Sequence, residues 1–223
     1  MRGRRQLSDE ASAYVRGLIM SGQLRPGASV RPEVIGQELQ ISATPAREAL
    51  QALRVEGFLE LLPGRGFIVA TLTGQDIRDL FQAHALIAGE LAVRATLAAS
   101  DAELGELEEL HQRMLAAAGA GDLEALEARN HLFHRSINLL AASPKILWVL
   151  GLVTRYVPRQ FYSSIQGWPA ATTEDHAELL EAMRNRDAEA ARAAMHRHIV
   201  HSGELLAEHF DQRTGASPAR TVD

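Results

Sequence analysis

A chain of 223 residues, 46% hydrophobic and 23% charged, is long enough for one large domain or two small ones and has the balance of a folded globular protein. It contains no cysteine, which excludes disulfides, thiolate metal sites and a cysteine nucleophile and leaves histidine, carboxylate and amide groups as metal ligands. The net charge of −5 is unevenly spread: residues 1–70 carry nine arginines against seven acids, and the remainder carries 13 arginines and Lys145 against 21 acids. A basic head on an acidic body predicts two domains with different partners. No apolar run approaches the ~20 residues of a spanning helix, and the basic residues 1–5 are not followed by an apolar signal core. The expectation is a cytoplasmic chain with no membrane partner.

Over 7–22, Ala11, Tyr14, Val15, Leu18 and Ile19 recur at helical spacing, and Pro26-Gly27 stops the run. A second helix fits 32–39, with Pro32 in its first turn and Val34, Ile35 and Leu39 directed inward. A third fits 43–56. Ser42 or Thr44 can cap it, and Pro45 is tolerated in a first turn because an N–H there has no intrahelical partner. Ala46, Ala49, Leu50 and Leu53 form its apolar stripe, and Gly57 ends it. Two β-prone runs, 58–62 and 67–70, flank the Gly-rich segment 63–66 and predict a hairpin. Helix, helix, tight turn, helix and hairpin is the order of a winged helix-turn-helix. Any small three-helix domain closed by a hairpin has the same order, and the pattern alone leaves both open.

Beyond residue 70 the strand signals vanish. A long helix is predicted over 76–99, with Ile77, Leu80, Phe81, Ala85, Leu86 and Leu91 as its stripe. Further helices fit 102–118, 123–140, 144 to about 164, 173–185 and 188–210, with Trp168-Pro169 as a break. The connections are short, so consecutive helices should pack antiparallel. The predicted fold is mainly α. A winged helix-turn-helix spans 1–71, an all-α antiparallel six-helix bundle spans 72–212, and a disordered tail fills 213–223.

The segment ISATPAREALQALRVEGFLELLPGRGFIVA, residues 41–70, carries the motifs TPxREAL, EGxLE and PGRGxxV. NxxFH, DH and MxxHI follow in order at Asn130–His134, Asp175-His176 and Met195–Ile199. From about residue 8 to 210 the chain resembles the GntR family of bacterial regulators. Its helical part is similar to the FCD ligand-binding domain of the FadR-type branch, in the shorter VanR-like form. The resemblance implies a dimeric transcription regulator.

A helix-turn-helix sets the N-terminal residues of its recognition helix against base edges in the major groove, which makes Thr44, Arg47 and Gln51 candidates. Arg47 can donate two hydrogen bonds to a guanine edge. The Gly64-Arg65-Gly66 tip allows close approach to the minor groove or a phosphate. Family members use the matching positions in this way. Many carry arginine where this chain has Ala43 and Glu33. The departure implies a different operator and more reliance on Arg47, Arg65, Arg31 and a flexible arm of Arg2, Arg4 and Arg5. A solvated Arg47, or one in an ion pair within its own helix, is the plainer alternative.

Of nine histidines, His111, His196 and His209 read as surface residues. Asn130 and His134 share one helical face, while His176 and His198 lie on two other helices. Facing helices can hold one metal, and the same residues are equally a set of hydrogen-bonded interior histidines. The resemblance implies a divalent metal held by Asn130, His134, His176 and His198. With a neutral amide in place of the common aspartate, that set suits zinc or nickel. Arg155 and Arg159, four apart, offer guanidinium groups to a carboxylate. The reading is a homodimeric repressor that binds a near-palindromic double-stranded DNA operator and answers a small organic or sugar acid. The alternative is a metal-dependent hydrolase or lyase working in the bundle, with Glu174, Asp175 or Glu178 near His176 as a base.

Overall fold

The computed structural model describes residues 3–156, 162 and 165–215. The chain forms two compact units, one built chiefly from residues up to Thr73 and the other from Gly74 to Asp211.

The first unit contains α1 (Arg4–Met20), β1 (Ser29–Val30), α2 (Pro32–Leu39), α3 (Ala43–Val55), β2 (Leu59–Leu62) and β3 (Gly66–Val69). The stripe Ala46, Ala49, Leu50 and Leu53 is wholly buried, as are Ala11 and Val15 of α1. The small residues at 46 and 49 let α3 lie close on α1, and α2 also packs on α3. The α2–α3 turn is tight: Gln40 adopts φ 54, and a Cβ on Gly36 would stand 2.9 Å from the Ile41 carbonyl. The hairpin tip is a Pro-Gly turn in which the Arg65 N–H donates to the Leu62 carbonyl at 3.1 Å, with Gly64 at φ 74. β1 adds a third antiparallel strand in the order β1-β3-β2. Two residues are too few to show alternation, so the sequence gives no signal for it. Val34 is 46% exposed, contrary to expectation, because Ile35 and Gly36 occupy the buried side of α2.

The second unit contains α4 (Gly74–Ala98), α5 (Asp101–Gly119), α6 (Leu123–Leu140), α7 (Pro144–Val153), a 3-10 turn (Thr154–Tyr156), α8 (Trp168–Arg184) and α9 (Ala188–Gly215). Ser100 and Glu103 form a reciprocal capping box at the start of α5. α5 packs on α6 and α8, and α4 on α6 and α7. Gly203 lets α9 approach α4, since a Cβ there would lie 2.5 Å from Phe81 Cβ. From the α8–α9 connection, Arg186 donates to the Thr96 carbonyl at 3.2 Å and to that of Ala99, and pairs with Asp101 at 2.7 Å. It thereby satisfies carbonyls that the end of α4 leaves open.

Four expectations are corrected here. Helix 144–164 ends as an α-helix at Val153, and residues 157–161 and 163–164 lie outside the described residues. Trp168-Pro169 begins α8 instead of breaking the chain: Pro169 lies in the first turn, where its missing N–H is harmless, and Trp168 is buried. Leu86 is 61% exposed. α9 runs to Gly215, into the predicted tail, and residues 216–223 lie outside the described residues. No described helix is long and apolar enough to cross a membrane.

Candidate DNA-reading face and metal centre

In the first unit, burial of the α3 stripe turns Thr44, Arg47 and Gln51 outward on the opposite side of the helix, all exposed. Arg47 Nη2 lies 3.4 Å from Glu33 Oε1 of α2, and both side chains are 61% exposed. Arg65 and Gly66 are exposed at the hairpin tip, and Gly66 has φ 74. Arg31 occupies the N-cap position of α2 and is exposed. Arg4 and Arg5, expected in a flexible arm, belong to α1, where the Arg4 guanidinium pairs with Glu48 of α3. Arg2 lies outside the described residues.

In the second unit, His134 of α6, His176 of α8 and His198 of α9 converge. Their Nε2 atoms stand 3.1 Å (His134 to His198), 3.2 Å (His176 to His134) and 3.2 Å (His176 to His198) apart. This is the group of three among the described residues suited to holding a metal ion. His176 and His198 are buried. Phe133 stacks on the His176 ring at 4.3 Å between centroids and fixes its plane. Asp175 Oδ2 accepts from Nδ1–H of His198 and of His201, each at 3.2 Å. A carboxylate only accepts, so the Nδ1 side of His198 faces Asp175 with its proton and the Nε2 side faces the other two rings. His176 Nδ1 is buried without a hydrogen-bond partner among the described residues. Asn130 stands one turn before His134, and its Oδ1 accepts from the buried Thr172 hydroxyl at 3.2 Å. That oxygen has a second lone pair to offer.

This donor set fits a cation. Three nitrogens about 2.0–2.1 Å from one ion stand roughly 3.0–3.4 Å apart, the spacing found here. Three imidazole Nε2 atoms turned on one point are a donor set that a single ion takes up together. The Asp175–His198 pair is the carboxylate–histidine arrangement that orients metal-bound imidazoles.

The model of the bacterial regulatory proteins of the gntR family matches residues 7–69, and the FCD domain model matches residues 79–201. The chain belongs to the GntR family. This regulator is 30% identical to the HTH-type transcriptional regulator McbR of Escherichia coli K12 over 185 residues, covering 77% of this chain and 79% of McbR. It is 25% identical to the Uxu operon transcriptional regulator of the same organism over 233 residues, covering 89% and 86%. The solved structure of E. coli McbR/YncC shares the fold, with a TM-score of 0.69 at 23% identity, covering 94% of this chain and all of that one. The GntR-family protein is therefore a DNA-binding transcriptional regulator with an FCD domain, and not an enzyme.

Burial, then the neighbouring His198, holds the imidazoles of His134 and His176 well below the ordinary range. Burial and His198 lower His84 to about 4. Burial raises the Asp175 carboxyl, but the hydrogen bonds and charge of His198 and His201 outweigh it and hold the group below its usual value. A neutral buried histidine refuses protons that the unfolded chain accepts below about pH 6.5. The metal-free regulator should therefore lose stability steadily as pH falls from 6.5 toward 4. Denaturant melts in chelator at a series of pH values check this; a flat profile across that window would contradict it.

Arg155 is exposed on the 3-10 turn, and Arg159 lies outside the described residues, so the two are not seen together. His111 is buried, not at the surface as expected, and its Nε2–H donates to the Thr173 carbonyl at 3.0 Å. A signal for this was present: Leu104, Leu107, His111 and Met114 share one helical stripe. The sequence reading cast Asp175 only as a base for the enzyme alternative and missed it as the partner of His198.

Proposed function

We infer that this GntR-family regulator is a cytoplasmic, homodimeric repressor. Its operator affinity is set by a small organic or sugar acid bound beside a zinc or nickel ion in the helical domain. The observation that carries the effector half is the convergence of three imidazole nitrogens, one of them backed by Asp175. His134, His176 and His198 would hold the ion, with Asn130 as a fourth, oxygen ligand. The bound ion would supply a Lewis-acidic anchor for an effector carboxylate, and Arg155 and Arg159 are the guanidinium groups proposed to steady it.

Within the helical unit, α9 ties the site to the first turn of α4. α9 carries His198 and, further along, Glu204 and Asp211. Asp211 Oδ1 accepts from the Gly74 N–H at the first turn of α4 (3.1 Å), and Arg78 pairs with Glu204 at 2.8 Å and Asp211 at 3.6 Å. A Cβ on Gly74 would collide with the Asp211 carboxylate, so glycine is what lets it reach that backbone. In this reading, a shift of α9 around the effector would be felt at the first turn of α4. Such coupling requires that the effector bind the two conformations unequally.

For the dimer, α7 exposes Trp148, Val149 and Leu152, apolar side chains suited to a second copy. Two-fold symmetry then calls for two half-sites in the DNA. Electrophoretic shifts with the upstream intergenic DNA of the regulator's own gene test the reading. A salt-sensitive specific complex of two chains per site is expected. Loss of every specific complex, with and without acids, would overturn it.

A further inference from the structure

The recognition helix presents its arginine already engaged. Arg47 Nη2 meets Glu33 Oε1 at 3.4 Å across the α2–α3 angle, in a pair that is well exposed on both sides. Glu33 sits in the first turn of α2, directly after the buried Pro32. The positive end of the helix dipole favours a carboxylate there. That same end would otherwise suit a phosphate, so the carboxylate also takes the place of a backbone-phosphate contact.

We propose that Glu33 is a specificity-determining residue that aims Arg47 at a base edge and away from the DNA backbone. This rests on Arg47 reading DNA, as proposed above. A guanidinium carries five N–H donors in a rigid fork. Glu33 engages one nitrogen, and the rest of the fork still supplies the two donors that a guanine N7/O6 edge requires. Held this way, Arg47 has less rotamer freedom to lose on binding the base. A flexible arginine at this point swings equally to phosphates and strengthens binding to any sequence. A phosphate that draws Arg47 off Glu33 exchanges one exposed ion pair for another and leaves a carboxylate facing the backbone. Glu33 therefore supports the base-reading complex and opposes the sequence-independent one.

The test uses the full-length regulator and a randomised duplex pool. Duplexes enriched by the wild type serve as the specific probe, and the unselected pool is the non-specific one. Glu33→Gln keeps the size of the side chain and removes its charge. It should weaken the enriched duplex and tighten the unselected pool, lowering the ratio of the two affinities roughly three- to ten-fold, as two opposed surface ion-pair effects allow. One base position in a pool re-selected by Glu33→Gln should become degenerate. Glu33→Asp, one methylene too short to reach, should behave alike. In an Arg47→Gln background, Glu33→Gln should leave the ratio unchanged. Equal tightening of both probes would make Glu33 a plain repulsive charge and overturn the proposal, as would an unchanged ratio or an effect that persists without Arg47. Failure of the wild type to enrich any duplex would instead remove the DNA-reading assignment on which it rests.

Discussion

A His134→Ala regulator is expected to bind divalent metal more than about 100-fold more weakly than the wild type, because changing only the outer partner of a ligand costs ~10–100-fold. The reason is geometric. The three Nε2 atoms lie within 3.2 Å of one another, and removing one leaves two nitrogens and an amide oxygen, a poor set for zinc or nickel. His134 suits the test because it is only partly buried, whereas His176 is packed against Phe133 and its loss would also open the core. Asp175→Asn should produce the smaller loss, within that ~10–100-fold range, since it weakens the hold on His198 without removing a ligand. Competition with a chromophoric chelator measures both. Thermal melting adds an independent reading: a ligand at 100 times its Kd stabilises a fold by ~2.7 kcal/mol, so metal should raise the wild-type Tm and leave His134→Ala unmoved. Equal metal affinity in wild type and His134→Ala would show that the three histidines are only core residues.

The second large effect belongs to the other end of the molecule. Arg47→Ala should lower affinity for an enriched operator by ~1–3 kcal/mol, which is roughly 5- to 150-fold, and should relax specificity at one base position. Arg47 stands fully on the outer side of α3, between Thr44 and Gln51, while the buried side of that helix holds the domain together. The substitution therefore leaves the fold intact. Arg65→Ala at the hairpin tip should weaken all duplexes more evenly and reduce the salt dependence by about one charge, as a phosphate contact does. Selection from a random pool, followed by titration at several salt concentrations, separates the two. If Arg47→Ala weakens enriched and random duplexes by the same factor, Arg47 holds the backbone and reads no base.

The DNA-binding unit was legible because its signals are local. Ala46, Ala49, Leu50 and Leu53 repeat at helical spacing, Pro45 marks a first turn, and Pro63-Gly64 marks a hairpin tip, each within a few residues. The two-residue β1 was invisible because only β3, far along the chain, makes it a strand. In both units, helices were readable but their orientation was less so. Val34 and Leu86 look like core residues by type and are exposed, since a broad apolar stripe does not mark which of its edge residues meets a neighbour. His111 was misjudged by residue type although its spacing placed it with Leu107 and Met114. The histidine triangle joins three helices, and no spacing along the chain encodes that meeting; the motif resemblance supplied it. Asp175 shows the limit most clearly. Adjacent to His176 on α8, it lies about 100° away around the helix and turns to His198 and His201 of α9 instead.

The account stands on a small-molecule site in the helical domain that governs grip on DNA by the other. The most direct measurement is operator affinity of the metal-loaded, full-length regulator against a panel of small organic and sugar acids, run in parallel on His134→Ala. The expected result is at least one acid that shifts wild-type affinity several-fold, within the ~5- to 150-fold span typical of allosteric coupling, and leaves His134→Ala unaffected. An acid response of equal size in both proteins would place the effector elsewhere and contradict the account.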